Sequence, residues 1–104
     1  MLKYWVWLSE LKGLRNQTRL ALLRRFGDPE SIFYADADEL LLTDGVERSQ
    51  LKLLENHDLA PADRILADCQ RLDIQLLTLS DAAYPGRLKN IYDPPALLYC
   101  EGRL

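Results

Sequence analysis

The chain is short of the side chains from which most catalytic sites are assembled. Its 104 residues include one histidine, two cysteines and one methionine. The single histidine, His57, lies in the helix-ending string ENHDLAP, where a surface imidazole at a helix C-terminus is the plainer reading. It leaves Ser-His-Asp, Cys-His and multi-histidine metal arrangements short of parts. There is no G-x-G-x-x-G and no G-x-x-x-x-G-K-[ST], so neither common phosphate loop is present. The two cysteines, Cys69 and Cys100, stand in unrelated contexts without a C-x-x-C, which predicts two reduced, mostly buried thiols and a cytoplasmic location. No apolar run reaches the roughly 20 residues that span a bilayer. The opening MLKYWVWLSELKG is broken by Glu10 and Lys12 and lacks the cleavage site of a secretory signal. The acid pairs Asp36/Asp38 and Asp44/Glu47 fall at helix starts, where carboxylates favour the dipole, and read as caps rather than acid–base pairs. These absences predict no catalytic residue, no metal, no cofactor, no small-molecule substrate and no membrane.

What is present is an ordinary globular composition, 48% hydrophobic and 28% charged, in a chain the size of one domain. The net charge is −3, but it is unevenly spread. Up to Gly27 there are six basic residues, Lys3, Lys12, Arg15, Arg19, Arg24 and Arg25, against Glu10 alone. From Asp28 onward there are seven basic residues against fifteen acidic ones. A basic quarter on an acidic body is either an electrostatic footprint for phosphate or the solvated face of a helix pair.

Periodicity predicts helices first. Tyr4, Leu8 and Leu11 repeat at helical spacing over Leu2 to Leu11, with Trp5 and Trp7 widening the apolar face, and Gly13 ends the element. Asn16 reads as the N-cap of a second helix, Gln17 to Phe26. Asp28 and Pro29 read as cap and first turn of a third, Asp36 as cap of a fourth, and Glu47 to Glu55 as a fifth. Residues 1–57 therefore predict an all-α module of five short helices. Residues 58–104 differ. A longer helix from Pro61 is followed by an apolar run, strand 74–79, a short helix with Pro85 at its first position, and strand 96–100. Helix, strand, helix, strand predicts the opening of an α/β sheet with its two strands parallel. The fold class predicted is mainly α, a helical bundle followed by the first α/β elements of a second domain.

Two stretches, LKGLRNQTRLALL and LTDGVERSQLKLL, place a Gly between apolar residues just before a helix. Helix-hairpin-helix modules use such a turn to offer backbone N–H groups to a DNA phosphate. The second glycine those modules usually carry is replaced here by Arg15 and Glu47. Arg15 still suits a phosphate as a charged donor, whereas Glu47 repels one. Lys12, Arg15, Arg19 and Arg24, with Arg25 beside them, are therefore the candidate DNA-binding residues, and protein contact is the competing use of the same module. Tyr4, Trp5 and Trp7 read as core rather than base-stacking residues.

The helical stretch LKGLRNQTRLALLRRFGDPESIFYADADELL, followed by GVERSQ, resembles the N-terminal helical domain of the bacterial DNA-processing protein A family, DprA or Smf. LLTLSDAAYPGRLKNIYDPPALLYCEG is similar to that family's lead-in: a strand, D-x-x-Y-P-x-x-L, D-P-P, then a strand and a Gly. Asp81, Tyr84, Pro85, Leu88, Asp93, Pro94, Pro95, Leu98, Tyr99 and Gly102 carry this part. The resemblance implies a sterile-alpha-motif-like domain over 1–57 and the start of a Rossmann-like core over 58–104. It implies single-stranded DNA and the RecA recombinase as partners of the full-length family protein, in natural transformation and recombination. It also implies that the family's DNA pocket follows the last strand here, so that this chain is an N-terminal fragment. Tyr84, Pro85, Asp93, Pro94 and Pro95 then form a structural joint: prolines fix φ and remove donors, and Tyr84, extended before Pro85, turns its ring inward. The alternative is a free-standing helix-hairpin-helix module that grips DNA backbone through the basic first hairpin.

Overall fold

A computed structural model describes residues 2–101. Its elements, in chain order, are α1 (Leu2–Ser9), α2 (Asn16–Phe26), α3 (Pro29–Phe33), α4 (Ala37–Leu41), α5 (Arg48–Leu54), α6 (Ala60–Arg71), β1 (Ile74–Thr78), α7 (Gly86–Lys89) and β2 (Leu97–Glu101). The chain is thus mainly helical, with a two-stranded antiparallel sheet. The five helices expected before residue 57 are present, with ends shifted by one or two residues.

The first helix sets the plan. Tyr4, Trp5, Val6, Trp7 and Leu8 are all buried, so α1 is apolar around its circumference rather than along one stripe. Such a helix must be enclosed, and α3, α6 and β2 pack against it. The aromatic rings fill this contact: Phe33 meets Tyr4 and Trp7 edge-to-face at 5.1 and 5.0 Å between centroids. His57 stacks on Phe33 at 4.3 Å. Leu22, Ile32 and Leu54 of the helical half share one buried cluster with Ala62, Ala96 and Leu97 of the second half. Packing therefore runs without a break across residue 57.

The strands differ from expectation in direction. β1 and β2 are antiparallel, with Ile74 opposite Glu101, Leu76 opposite Tyr99 and Thr78 opposite Leu97. A parallel return needs a crossover of a dozen or more residues, usually a full helix. The eighteen residues between the strands would be long enough, but α7 is only four residues long, and bonds within the loop bring its two ends back to the same end of the sheet. Asp81 Oδ2 accepts from the Thr78 N–H at 2.8 Å, and the Asp81 N–H donates to the Thr78 carbonyl. The Leu79 N–H donates to the Ala96 carbonyl at the other end of the loop, which fixes the register. Both cysteines, Cys69 on α6 and Cys100 on β2, are free thiols.

Three local readings change. Asn16 is the first residue of α2, and Arg15 holds the cap position without a side-chain capping bond. Asn16's amide is drawn away by the tail, as described below. Pro85 likewise sits at the cap of α7 rather than inside it. Asp36 holds the cap position of α4 but makes no capping bond.

Asp28 does cap α3, with Pro29 behind it; its carboxylate accepts from the Ser31 N–H at 2.7 Å. That bond holds the Asp28 carboxyl below its ordinary value of 3.8. A lowered folded pKa contributes stability above the unfolded pKa and loses it as pH falls through the folded value. Asp28→Ala should therefore cost about 1 kcal/mol at neutral pH. Asp28→Asn should retain the cap while removing its share of the acid dependence; urea unfolding at neutral pH and near pH 3 measures both.

Candidate docking and nucleic-acid surface

The two glycine hairpins lie against each other. Gly13 and Gly45 adopt φ of +88° and +87°, which side chains rarely tolerate. A Cβ on Gly45 would stand 2.7 Å from Thr18 Oγ1, and one on Gly13 3.3 Å from a Leu53 methyl. Polar contacts cross in both directions. Thr18 Oγ1 donates to the Gly45 carbonyl at 3.4 Å. Gln50 Nε2 donates to the Gly13 carbonyl, and Gln50 Oε1 accepts from the Arg15 N–H, each at 3.3 Å. Thr18 and Gln50 each stand five residues after the glycine of their own hairpin. The exchange locks hairpin to hairpin, and it occupies the Arg15 N–H that a phosphate would otherwise take.

The candidate cations separate into distinct groups. Arg19 is buried. Its Nε donates to the Leu8 carbonyl at 2.9 Å, Nη2 to the Leu11 and Leu14 carbonyls, and Nη1 to Asn16 Oδ1. Burial lowers its pKa, partly offset by Glu10 and Asp93. This guanidinium closes the C-terminal end of α1 and is not offered to solvent. Arg25 is exposed but engaged: its Nη2 pairs with Glu39 Oε2 at 2.7 Å, and its Nη1 reaches the Glu39 carbonyl and Thr43 Oγ1. Lys12, Arg15 and Arg24 are exposed and have no ion pair among the described residues. Arg15 and Arg24 line one surface groove of about 300 Å³, but Asp44 lines it too. A carboxylate there opposes a phosphate.

The tail residues are fixed to these helices. Tyr84 is buried, and its hydroxyl donates to the Pro95 carbonyl at 2.7 Å, holding the two ends of the loop together. Burial raises the Tyr84 pKa, which keeps the phenol a donor. Asp93 Oδ1 accepts from Asn16 Nδ2 at 2.9 Å and from Gln17 Nε2 at 2.8 Å. Those two amides also donate to the Pro94 and Tyr92 carbonyls. Pro94 is buried and Pro85 and Pro95 are half-buried. Tyr99 of β2 donates to Glu10 Oε1 at 2.8 Å, and burial with that bond raises its pKa. Gly102 lies outside the described residues.

Nothing in the sequence marked Asn16, Gln17 or Gln50 as clamps. The matching spacing of Thr18 and Gln50 behind the two glycines was the available signal for the hairpin exchange. Trp5 and Trp7 are mostly buried, and Trp7 Nε1 donates to the Asn56 carbonyl at 2.7 Å. Among the described residues no cluster of three or more His, Cys, Asp or Glu is placed to hold a metal, and no helix is long and apolar enough to cross a membrane. No family model, curated protein or solved structure matches the chain.

Two sets of substitutions read these roles by urea unfolding. Arg19→Ala removes a charged donor from three backbone carbonyls and should cost about 3 kcal/mol. Arg15→Ala should stay within about 0.5 kcal/mol of the parent. Tyr84→Phe and Asp93→Ala should each cost about 1 kcal/mol, and Asp93→Ala should also speed amide exchange along β2.

Proposed function

We propose that this chain is the N-terminal part of a cytoplasmic protein of the DNA-processing A type, whose whole-protein role is binding single-stranded DNA and loading RecA recombinase. Its helices would form the sterile-alpha-motif-like domain, and β1 and β2 would open the Rossmann-like core. Within that protein this segment acts as a positioning and protein-contact module rather than as the DNA grip. The observation that carries the reading is the use made of the D-x-x-Y-P and D-P-P residues. Asp81, Tyr84 and Asp93 bind the chain's own backbone or the amides of α2, and each bond fixes the path that leads into β2. Each of these three side chains is engaged within the chain. The buried Arg19 and the bonded Arg15 N–H likewise withdraw the first hairpin from phosphate.

The alternative, a module gripping DNA backbone, keeps three exposed cations, Lys12, Arg15 and Arg24. Anisotropy of labelled oligo(dT) against this chain, titrated with salt, separates the two. The positioning role predicts no salt-dependent binding by this chain, while the protein as it occurs in the cell binds oligo(dT). A grip through the hairpin predicts binding at low salt, with the log–log salt slope falling by about one for each cation removed as Arg15→Ala or Arg24→Ala.

A further inference from the structure

The outer face of α2 and the tail joint enclose a second groove, of about 380 Å³, at the small end of the roughly 300–1,000 Å³ typical of ligand clefts. Trp5, Leu20, Leu23 and Leu79 line it together with the exposed side of the joint. Ile91 and Tyr92 stand there 49% and 86% exposed. Large apolar side chains held out from a surface beside an apolar cleft are the usual mark of a contact site. Their segment is not loose. The Tyr92 carbonyl accepts from Gln17 Nε2 at 3.0 Å, and Asp93 beside it is held by two amides. The wall is therefore built before anything binds, which lowers the ordering cost of binding.

The charges of this groove run against those of the chain. Arg24 and Lys89 line it, both exposed and with no ion pair among the described residues. No carboxylate is among its described lining residues, in a chain whose net charge is −3. We propose that this groove docks an acidic segment of a partner protein, one that seats an apolar side chain between Trp5 and Tyr92 and sets carboxylates on Arg24 and Lys89. The proposal rests on the protein-contact role assigned above. A nucleic-acid strand fits less well. It needs a row of cations along the backbone, and the neighbouring groove that continues past Arg24 carries Asp44. An apolar floor with two cations matches a mixed acidic and apolar peptide instead.

The probe is a fluorescein-labelled synthetic peptide of Asp and Glu flanking a Leu-Trp pair, read by anisotropy on the whole chain. Its counterpart with Asn and Gln in place of the acids is the charge control, and oligo(dT) is the competitor. The acidic peptide should bind at low salt and weaken as salt rises. Arg24→Ala and Lys89→Ala should each lower affinity roughly three- to tenfold, and Ile91→Asp by more than about tenfold. Lys52→Ala, an exposed cation outside the groove, should leave it unchanged. All four positions are exposed, and circular dichroism checks that the variants fold. Equal binding of the neutral peptide, an equal loss in Lys52→Ala, or no peptide binding at low salt overturns the proposal. So does displacement of the peptide by oligo(dT) in an Arg24-dependent manner, which would assign the groove to nucleic acid. Failure here leaves the positioning role untouched, since that role is read separately from amide exchange along β2.

Discussion

The guanidinium of Arg19 is the contact on which the arrangement of the helical half turns. Tyr4 to Leu8 of α1 are all buried, and the carbonyls at the C-terminal end of a helix lack partners within it. Arg19 supplies a partner from α2, reaching Leu8 of α1 and Leu11 and Leu14 of the loop that follows it with one planar fork. The fork also fixes where α2 crosses the end of α1. Removing an arginine from water is unfavourable, and the lowered pKa expresses it. The compensation is geometric: several charge-assisted bonds converge from one guanidinium on backbone carbonyls. A lysine carries the same charge but lacks the rigid planar fork.

Once α2 is placed, its first turn becomes a ruler for the rest of the chain. Asn16 and Gln17 hold Tyr92, Asp93 and Pro94, while Thr18, the next residue, holds Gly45. Three consecutive side chains thus bind the joint on one side and the second hairpin on the other. This explains why Asn16 does not cap its own helix. Its amide is engaged with the tail, and α2 begins with Arg15 at the cap and no side-chain bond. A cap would use Asn16 Oδ1 as acceptor, and that oxygen accepts from Arg19 Nη1 while Nδ2 holds the tail.

Elements were legible in the sequence where local chemistry decides them. Asp28-Pro29 fixed the start of α3, the period of α6 announced an amphipathic helix, and the apolar run at 74–79 announced β1. Direction and burial were not legible, because they are decided at a distance. The strand pair was expected to be parallel from the helix–strand order. The short helix between the strands was read, but the bonds that bring the two ends of the loop together, Tyr84 to Pro95 and Leu79 to Ala96, are not visible in a periodicity. Arg19 sits in a run of basic residues with Arg15, Arg24 and Arg25, and by type it reads as a surface cation. Only the fold distinguishes the one that faces the α1 carbonyls from those that face water. The joint was legible as a rigid segment, since Tyr-Pro and Asp-Pro-Pro restrict the backbone by themselves. The amides that receive it were not.

The same placement decides what surface the module offers. The basic quarter of the sequence suggested a phosphate footprint, but folding disperses it: Arg19 goes inside, Arg25 goes to Glu39, and Arg15 and Arg24 share a groove with Asp44. What folding concentrates instead is apolar. Trp5, Leu20 and Leu23 come from the helices, and Ile91, Tyr92 and Lys89 come from the tail some seventy residues later. Neither half has the groove alone. Its walls meet only because Asn16 and Gln17 hold the joint against α2, so the clamp that positions β2 also builds the groove. The placement of β2 and the shape of the groove are therefore one property of the fold: a change that frees the joint, such as loss of Asp93, removes the wall that carries Tyr92 as well as the anchor of the strand.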